Sequence, residues 1–381
     1  MTATLELPAA PGRMKLRPAT IVVWIIVAGV LIYAPFLFEP FRVDQFSGWM
    51  TLAIGACGLN LLTGFNGQIS VGHGALYGVG AYTAGWMINE LNSPLLLAVL
   101  GGGVVCFVVG VIIGLPALRI KGLYLALVTL AVATLFPLAV EQFNSITGGS
   151  HGMQITSEQM YRGSLREKPI QMLSPFKGVE AHQWQYLVFL AITALCFLLS
   201  RNLIKSRVGR SLVAVRDNET AAEVSGIPVA RVKIYTFGVG SALAGIGGGL
   251  FAIDQTRMYP SSFTIAVSIY FLVAVVIGGA SSIIGPAVGA LFYGVFSDVI
   301  IPELPNRLQP ARAVILGVML IGLMLVAPGG MVGVFRTIQA KFKKSGTGRS
   351  STAAVSTTAS HSTPGGGDLT ATESPQNEEK S

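Results

Sequence analysis

The sequence predicts an all-α polytopic membrane protein with about ten transmembrane helices. Three observations carry this. The 381 residues are 52% apolar and only 12% charged, where soluble domains run at about 25% charged. Mean hydropathy is +0.64, and several uncharged runs approach the ~20 residues that cross a hydrocarbon core as a helix. The Lys and Arg residues gather between these runs, as they do in loops held on the inner face of a membrane. The formal charge of +8 is therefore read as basic inner loops and not as a nucleic-acid surface.

Helices are expected near 20–38, 48–63, 69–90, 95–118, 123–141, 186–200, 234–253, 263–282, 285–301 and 311–328. Arg13, Lys15 and Arg17 precede the first run and place a short leader, 1–19, inside. That run is too long for a cleaved signal and lacks a small-residue cleavage site, so it reads as an anchor. The second run has about 16 residues, roughly 24 Å as a helix. Arg119 and Lys121 fall inside after the fourth. The polar segment 142–184 falls outside after the fifth, and the basic segment 201–233 inside after the sixth. Ten crossings return the C-terminus to the inner side. The membrane domain then covers 20–335, and 336–381 is a tail too rich in Ser, Thr, Gly and Pro to build a core. Spans two to five and seven to ten start on opposite sides, as two inverted four-helix halves require. Cys57, Cys106 and Cys196 all lie within spans and read as small packing residues.

The 201–233 island carries the strongest local signal. Arg201, Lys205, Arg207, Arg210, Arg216, Arg231 and Lys233 outnumber Asp217, Glu219 and Glu223. Within it, Glu219-Thr220-Ala221-Ala222 runs on to Gly226, the form of a short helix with a glycine stop. Ile227-Pro228 follows, and proline cannot continue a helix. Asp217 and Glu219 suit the positive end of such a helix. A structured, inward-facing helix of this kind offers a grip to another protein.

Glycine is the second signal, with 46 in the chain. Close packing of helices through small residues accounts for much of it. The stretch Asn60–Ala75 adds Asn66, Gln68, Ser70 and His73 between two apolar runs. Short, glycine-interrupted spans mark transport sites, so Asn60, Asn66, Gln68, Ser70 and His73 are expected along a solute path near the membrane midplane. Nothing in the sequence suggests a metal site or a bound cofactor. No Gly-x4-Gly-Lys-Ser/Thr loop occurs, so ATP binding through that motif is excluded. The expected span interiors hold no Asp, Glu, Lys or Arg, which counts against an ion-coupled carrier. A channel for a small neutral solute remains open on these residues alone.

LNLLTGFNGQISVGHGALYGVGAY at Leu59–Tyr82, TGGSHGM at Thr147–Met153, SRVGRSLVAVRDNETAAEVSGIPVARVK at Ser206–Lys233 and VVIGGASSIIGPAVGA at Val275–Ala290 occur in that order. In these motifs the chain resembles the permease subunits of branched-chain amino acid ABC importers, the second of the two permeases in that system. The resemblance covers about 20–335. One departure is the loop, which reads Glu-Thr-Ala-Ala, one residue longer than the plain Glu-Ala-Ala form. The resemblance implies a type II ABC importer-like fold in the bacterial inner membrane, with both termini cytoplasmic. It implies a transport subunit that is not itself an enzyme. Its implied partners are two ATP-binding subunits, a second homologous permease, an extracytoplasmic substrate-binding protein and membrane lipid. ATPase coupling would then fall to Asp217, Glu219, Ala221, Ala222 and Gly226. Relatives of such permeases carry urea or short amides, so the solute does not follow from the resemblance.

Overall fold

A computed structural model describes residues 18–115, 123–155, 174–176, 178–303, 305, 311–326 and 329–333. All of these fall within the first of two units, Met1–Arg336. The leader up to residue 17, Arg119 and Lys121, much of the 142–184 segment and the tail lie outside the described residues.

The described residues are mostly helical, with one ribbon of two short strands among them. In order the helices are α1 (Pro18–Tyr33), α2 (Pro40–Asn60), α3 (His73–Leu91), α4 (Leu95–Gly114), α5 (Leu123–Gln142), α6 (Asn144–Thr147), α7 (Ala181–Lys205), α8 (Arg207–Asp217), α9 (Glu219–Val224), α10 (Val229–Gln255), α11 (Ile265–Gly278), α12 (Gly285–Val295) and α13 (Arg312–Val326). Each of the ten expected segments falls on one of these helices. Among the described residues, seven stretches are long and apolar enough to cross a membrane. The others are shorter or, like α3, more polar.

The boundaries differ where polar residues continue a helix. The second span was expected to begin near 48, but α2 starts at Pro40 and runs through a wide turn, Leu61–Phe65, for 26 residues in all. Proline at the first helical position is pre-set for a helix start. Arg42 donates to Gln45 one turn on at 3.0 Å, and Gln45 donates to the Asp298 carbonyl at 3.3 Å. These polar residues therefore belong to the helix, and the second span is not short. The interruption after it is real: 67–72 is irregular backbone before α3 begins.

Burial separates a centre from a rim. In α2 and α10, 78% of the most apolar window is buried, against 17% in α7. α10 packs on α3 and α4, while α2 packs on α11 and α12 as well as α10. Each half thus places its first helix among the helices of the other. The close approach depends on glycine. A Cβ on Gly58 would strike the Gly240 carbonyl, and one on Gly80 would strike the Gly245 backbone, the small-residue packing expected of membrane helices. The three cysteines are buried and free, and the Cys106 thiol donates to the Leu76 carbonyl at 3.1 Å.

The connection after α5 is partly structured. Met153–Gln154 (β1) pairs antiparallel with Arg257–Met258 (β2), joining it to the turn after α10. That turn continues into a single helical turn, Pro260–Phe263, whose Phe263 ring packs against Tyr77, Tyr82, Phe136 and Phe251.

Candidate functional site

The basic island folds as two short helices between α7 and α10. Ser206 ends α7 and caps α8, accepting from the Gly209 amide at 3.4 Å. Asn218 caps α9, accepting from the Ala221 amide at 3.0 Å. The α9 helix stops as expected at Gly226, which has φ +81°. The Gly226 amide donates to the Glu223 carbonyl at 2.9 Å and the Ile227 amide to the Ala222 carbonyl at 3.0 Å. This pairing satisfies the last carbonyls of the helix and places Ile227 against Ala222. Leu212, Val215, Ala222 and Val232 form a small buried cluster that holds the two helices on α10.

The five candidate coupling residues have different surroundings. Ala222 is buried in that cluster, Ala221 is exposed, and Gly226 is an exposed stop. Glu219 reaches back to buried Lys233 of α10 at 2.6 Å. Asp217 ends α8 and does not open α9; its Oδ1 accepts from Arg216 Nε and Nη2 at 3.0 and 2.9 Å. Val224 is 86% exposed on α9, an apolar knob that the sequence reading passed over.

Beside α8 lie the ends of α2 and of the α11–α12 turn. Arg216 Nη1 donates to the Gly64 carbonyl at 2.8 Å and to Ser281 Oγ at 2.7 Å. The Ser281 hydroxyl donates to the same Gly64 carbonyl. The Asn60 amide grips the turn twice, accepting from the Ser281 amide at 3.1 Å and donating to the Ser282 carbonyl at 2.8 Å. Asn60, Asn66, Gln68, Ser70 and His73 are all buried. Gly67 lies against the Arg216 side chain, so this segment starts at the basic end of the molecule and not half-way along it. The side chains of Asn66, Gln68 and Ser70 find no hydrogen-bond partner among the described residues. The His73 ring faces the Gly55 backbone and stands edge-on to Phe271, with ring centroids 6.0 Å apart. One residue on, the Gly74 amide opens α3 by donating to Ser268 Oγ of α11 at 2.9 Å.

A cavity of about 960 Å³ opens at the other end of these helices. Asp44, Glu180, Asp254 and Asp298 line it, with no Lys or Arg among its described lining. Its one basic group is His182, 3.4 Å from Glu180. Asp254 accepts from Gln185 and Gln255 at 3.3 and 3.0 Å, and Asp298 from the Trp49 indole at 2.7 Å. Tyr77, Thr51 and Phe271 also line it, and the Tyr77 hydroxyl donates to Thr51 at 2.9 Å. The arrangement offers many acceptors and few fixed cations, so it suits ammonium or amide N–H groups. By sequence Asp254 and Asp298 are residues near span ends, and Asp44 carries no signal of its own. Their shared side in the expected topology was the signal available.

The family described as "branched-chain amino acid transport system / permease component" matches residues 44–327. The chain is 29% identical to the high-affinity branched-chain amino acid transport system permease protein LivM of Salmonella typhimurium, over 87% of this chain and 78% of that protein. It is 28% identical to LivM of Escherichia coli over the same shares. It is 27% identical to the permease protein LivH of Salmonella typhimurium, over 74% of this chain and 91% of that one. No solved structure matches. With three quarters of its length inside the matched region, and its interrupted second span, capped basic helices and α11–α12 turn all within it, the chain belongs to the family of branched-chain amino acid transport permease components.

Proposed function

We propose that this chain is the permease subunit of an ATP-driven importer for branched-chain amino acids, forming half of the translocation path and coupling to separate ATPase subunits. The observation that carries the reading is the axial layout. A capped, partly exposed helix pair stands at one end, an acid-lined cavity stands at the other, and α2 and α10 run between them. The basic end faces the cytoplasm of a bacterium, with both termini on that side. One ATP-binding subunit seats on α9 around Ala221 and Val224, and the other on the matching helix of the second permease. A second, homologous permease completes the path, and an extracytoplasmic binding protein delivers solute to the acid-lined end. Asn66, Gln68 and Ser70 line the inner stretch of the path. Buried polar groups without partners are costly, and a path that is closed in this state and polar when open accounts for three in a row.

Reconstitution tests the reading. Purified in mild detergent, the chain should bring down nucleotide-binding subunits and a second permease. In proteoliposomes the complex should take up leucine, isoleucine or valine only with ATP and binding protein present. Uptake of urea or acetamide in preference to these would assign the complex a small-amide substrate. Uptake by the chain alone, driven by an ion gradient or by none, would overturn the importer reading.

A further inference from the structure

We propose that Arg216 is the positioning residue that transmits movement of α8 and α9 to the closed inner end of the path, and this rests on the permease reading above. One guanidinium nitrogen donates both to Gly64, at the end of α2, and to Ser281, in the α11–α12 turn. Those two segments come from opposite halves of the chain. They are already knotted together by the Asn60 amide and by the Ser281 hydroxyl. Gly64 has no room for a Cβ, which would lie 2.6 Å from the Ser281 amide. Ser281 itself sits in the left-handed region at φ +65°, a conformation held by its surroundings.

The chemistry suits a releasable joint. Carbonyls at the end of a helix carry partial negative charge and attract a cation. The planar guanidinium is aimed by Asp217, which takes its Nε and Nη2 and leaves Nη1 directed at the closure. A lysine in this place would be a single flexible point donor without that fixed aim. The apolar contacts of α8, through Leu212 and Val215, hold it to α9 and α10. A shift of the coupling helices therefore leaves that cluster intact and acts at the Arg216 bonds. Breaking them uncouples the Gly64–Ser281 joint from α8 and leaves only the Asn60 and Ser281 bonds to hold it, and Asn66, Gln68 and Ser70 lie in the segment that follows.

The test uses the assembled complex in proteoliposomes, with partner ATPases, second permease and binding protein. Wild-type uptake is established first, so that a failure of the importer reading shows before any variant is compared. Arg216→Ala removes two charge-assisted hydrogen bonds and should lower solute transported per ATP hydrolysed by about tenfold or more, with ATPase rate and subunit copurification unchanged. Arg216→Lys should fall between. A ratio in Arg216→Ala within about twofold of wild type overturns the proposal. So does a proportional fall of uptake and ATPase, which marks lost docking. Should Arg216→Ala fail to assemble, Ser281→Ala decides, because it removes both the acceptor for Arg216 and the donor to Gly64 without altering a residue of α8. A lowered ratio there supports the joint and an unchanged ratio overturns it.

Discussion

Glu219 and Lys233 meet at 2.6 Å across the junction of α9 and α10, with the Lys233 side chain 8% exposed and the Glu219 side chain 38%. The asymmetry predicts the order of two substitutions. Glu219→Ala strips the partner from a buried ammonium, whereas Lys233→Met leaves a carboxylate that water can reach. Glu219→Ala should cost about 1–2 kcal/mol more than Lys233→Met, discounted for the exposed side of the pair. Thermal unfolding of the detergent-solubilised protein reads this. Equal melting temperatures would mean the pair does not hold α9 in place.

Gly226 isolates a backbone effect. Nothing lies within 4 Å of the position a Cβ would take, so a side chain there meets no clash. Its φ of +81° is still strained for an L-residue. Gly226→Ala should cost about 1 kcal/mol and Gly226→Val more, through the stop of α9 alone. Uptake should fall while the protein stays in the membrane. Normal transport by Gly226→Val would remove this residue from the coupling set.

Gly64 is the converse case, limited by space and not by φ. A methyl there would press on the Ser281 amide and the Asn60 side chain. Gly64→Ala should loosen the joint between α2 and the α11–α12 turn at a cost of about 1–3 kcal/mol. The expected readout is higher ATPase activity in the absence of binding protein. Wild-type basal activity would show that the joint accommodates a methyl.

Cysteines placed singly at Asn66, Gln68 and Ser70, in a background lacking Cys57, Cys106 and Cys196, should be protected in the resting complex. These positions are 3%, 5% and 1% exposed. A small polar thiol reagent should label at least one of them when ATP is supplied. Protection in every nucleotide state would make the stretch packing, with the path elsewhere.

The acid-lined cavity predicts a charge preference. Asp254→Asn removes one carboxylate and keeps its shape. It should lower zwitterion uptake about tenfold at limiting solute, as loss of one charge-assisted contact would. An unaltered apparent affinity would leave Asp254 with its Gln185 and Gln255 contacts alone.

The helices were legible because bilayer thickness imposes a length and a polarity that a single sequence displays. The α9 stop was legible for a different reason: Gly226 followed by Ile227-Pro228 specifies it within a few residues. The start of α2 is not legible because Arg42, Asp44 and Gln45 resemble a loop until the cavity that Asp44 and Gln45 line is known. Arg216 stood among seven basic residues of one island, and only the return of Gly64 and Ser281 from distant parts of the chain sets it apart. The acid-lined cavity is only half legible: the expected topology puts Asp44, Asp254 and Asp298 on one side, but the packing of α2 on α10 and α12 is what brings them into one cavity.

The crossing of α2 and α10 at Gly58 and Gly240 puts backbone on backbone, with no side chain between them to yield. On the importer reading, such a crossing would act as a fulcrum. At 1.5 Å per residue, the arm of α2 from Gly58 to Gly64 is about 9 Å, and the arm from Gly58 to Asp44 about 21 Å. A push delivered at the short arm therefore arrives at the cavity rim more than doubled and reversed in sense. On the importer reading, leverage of this kind would narrow the cavity mouth in the same stroke that frees the joint at Gly64, and that mouth would need no latch of its own.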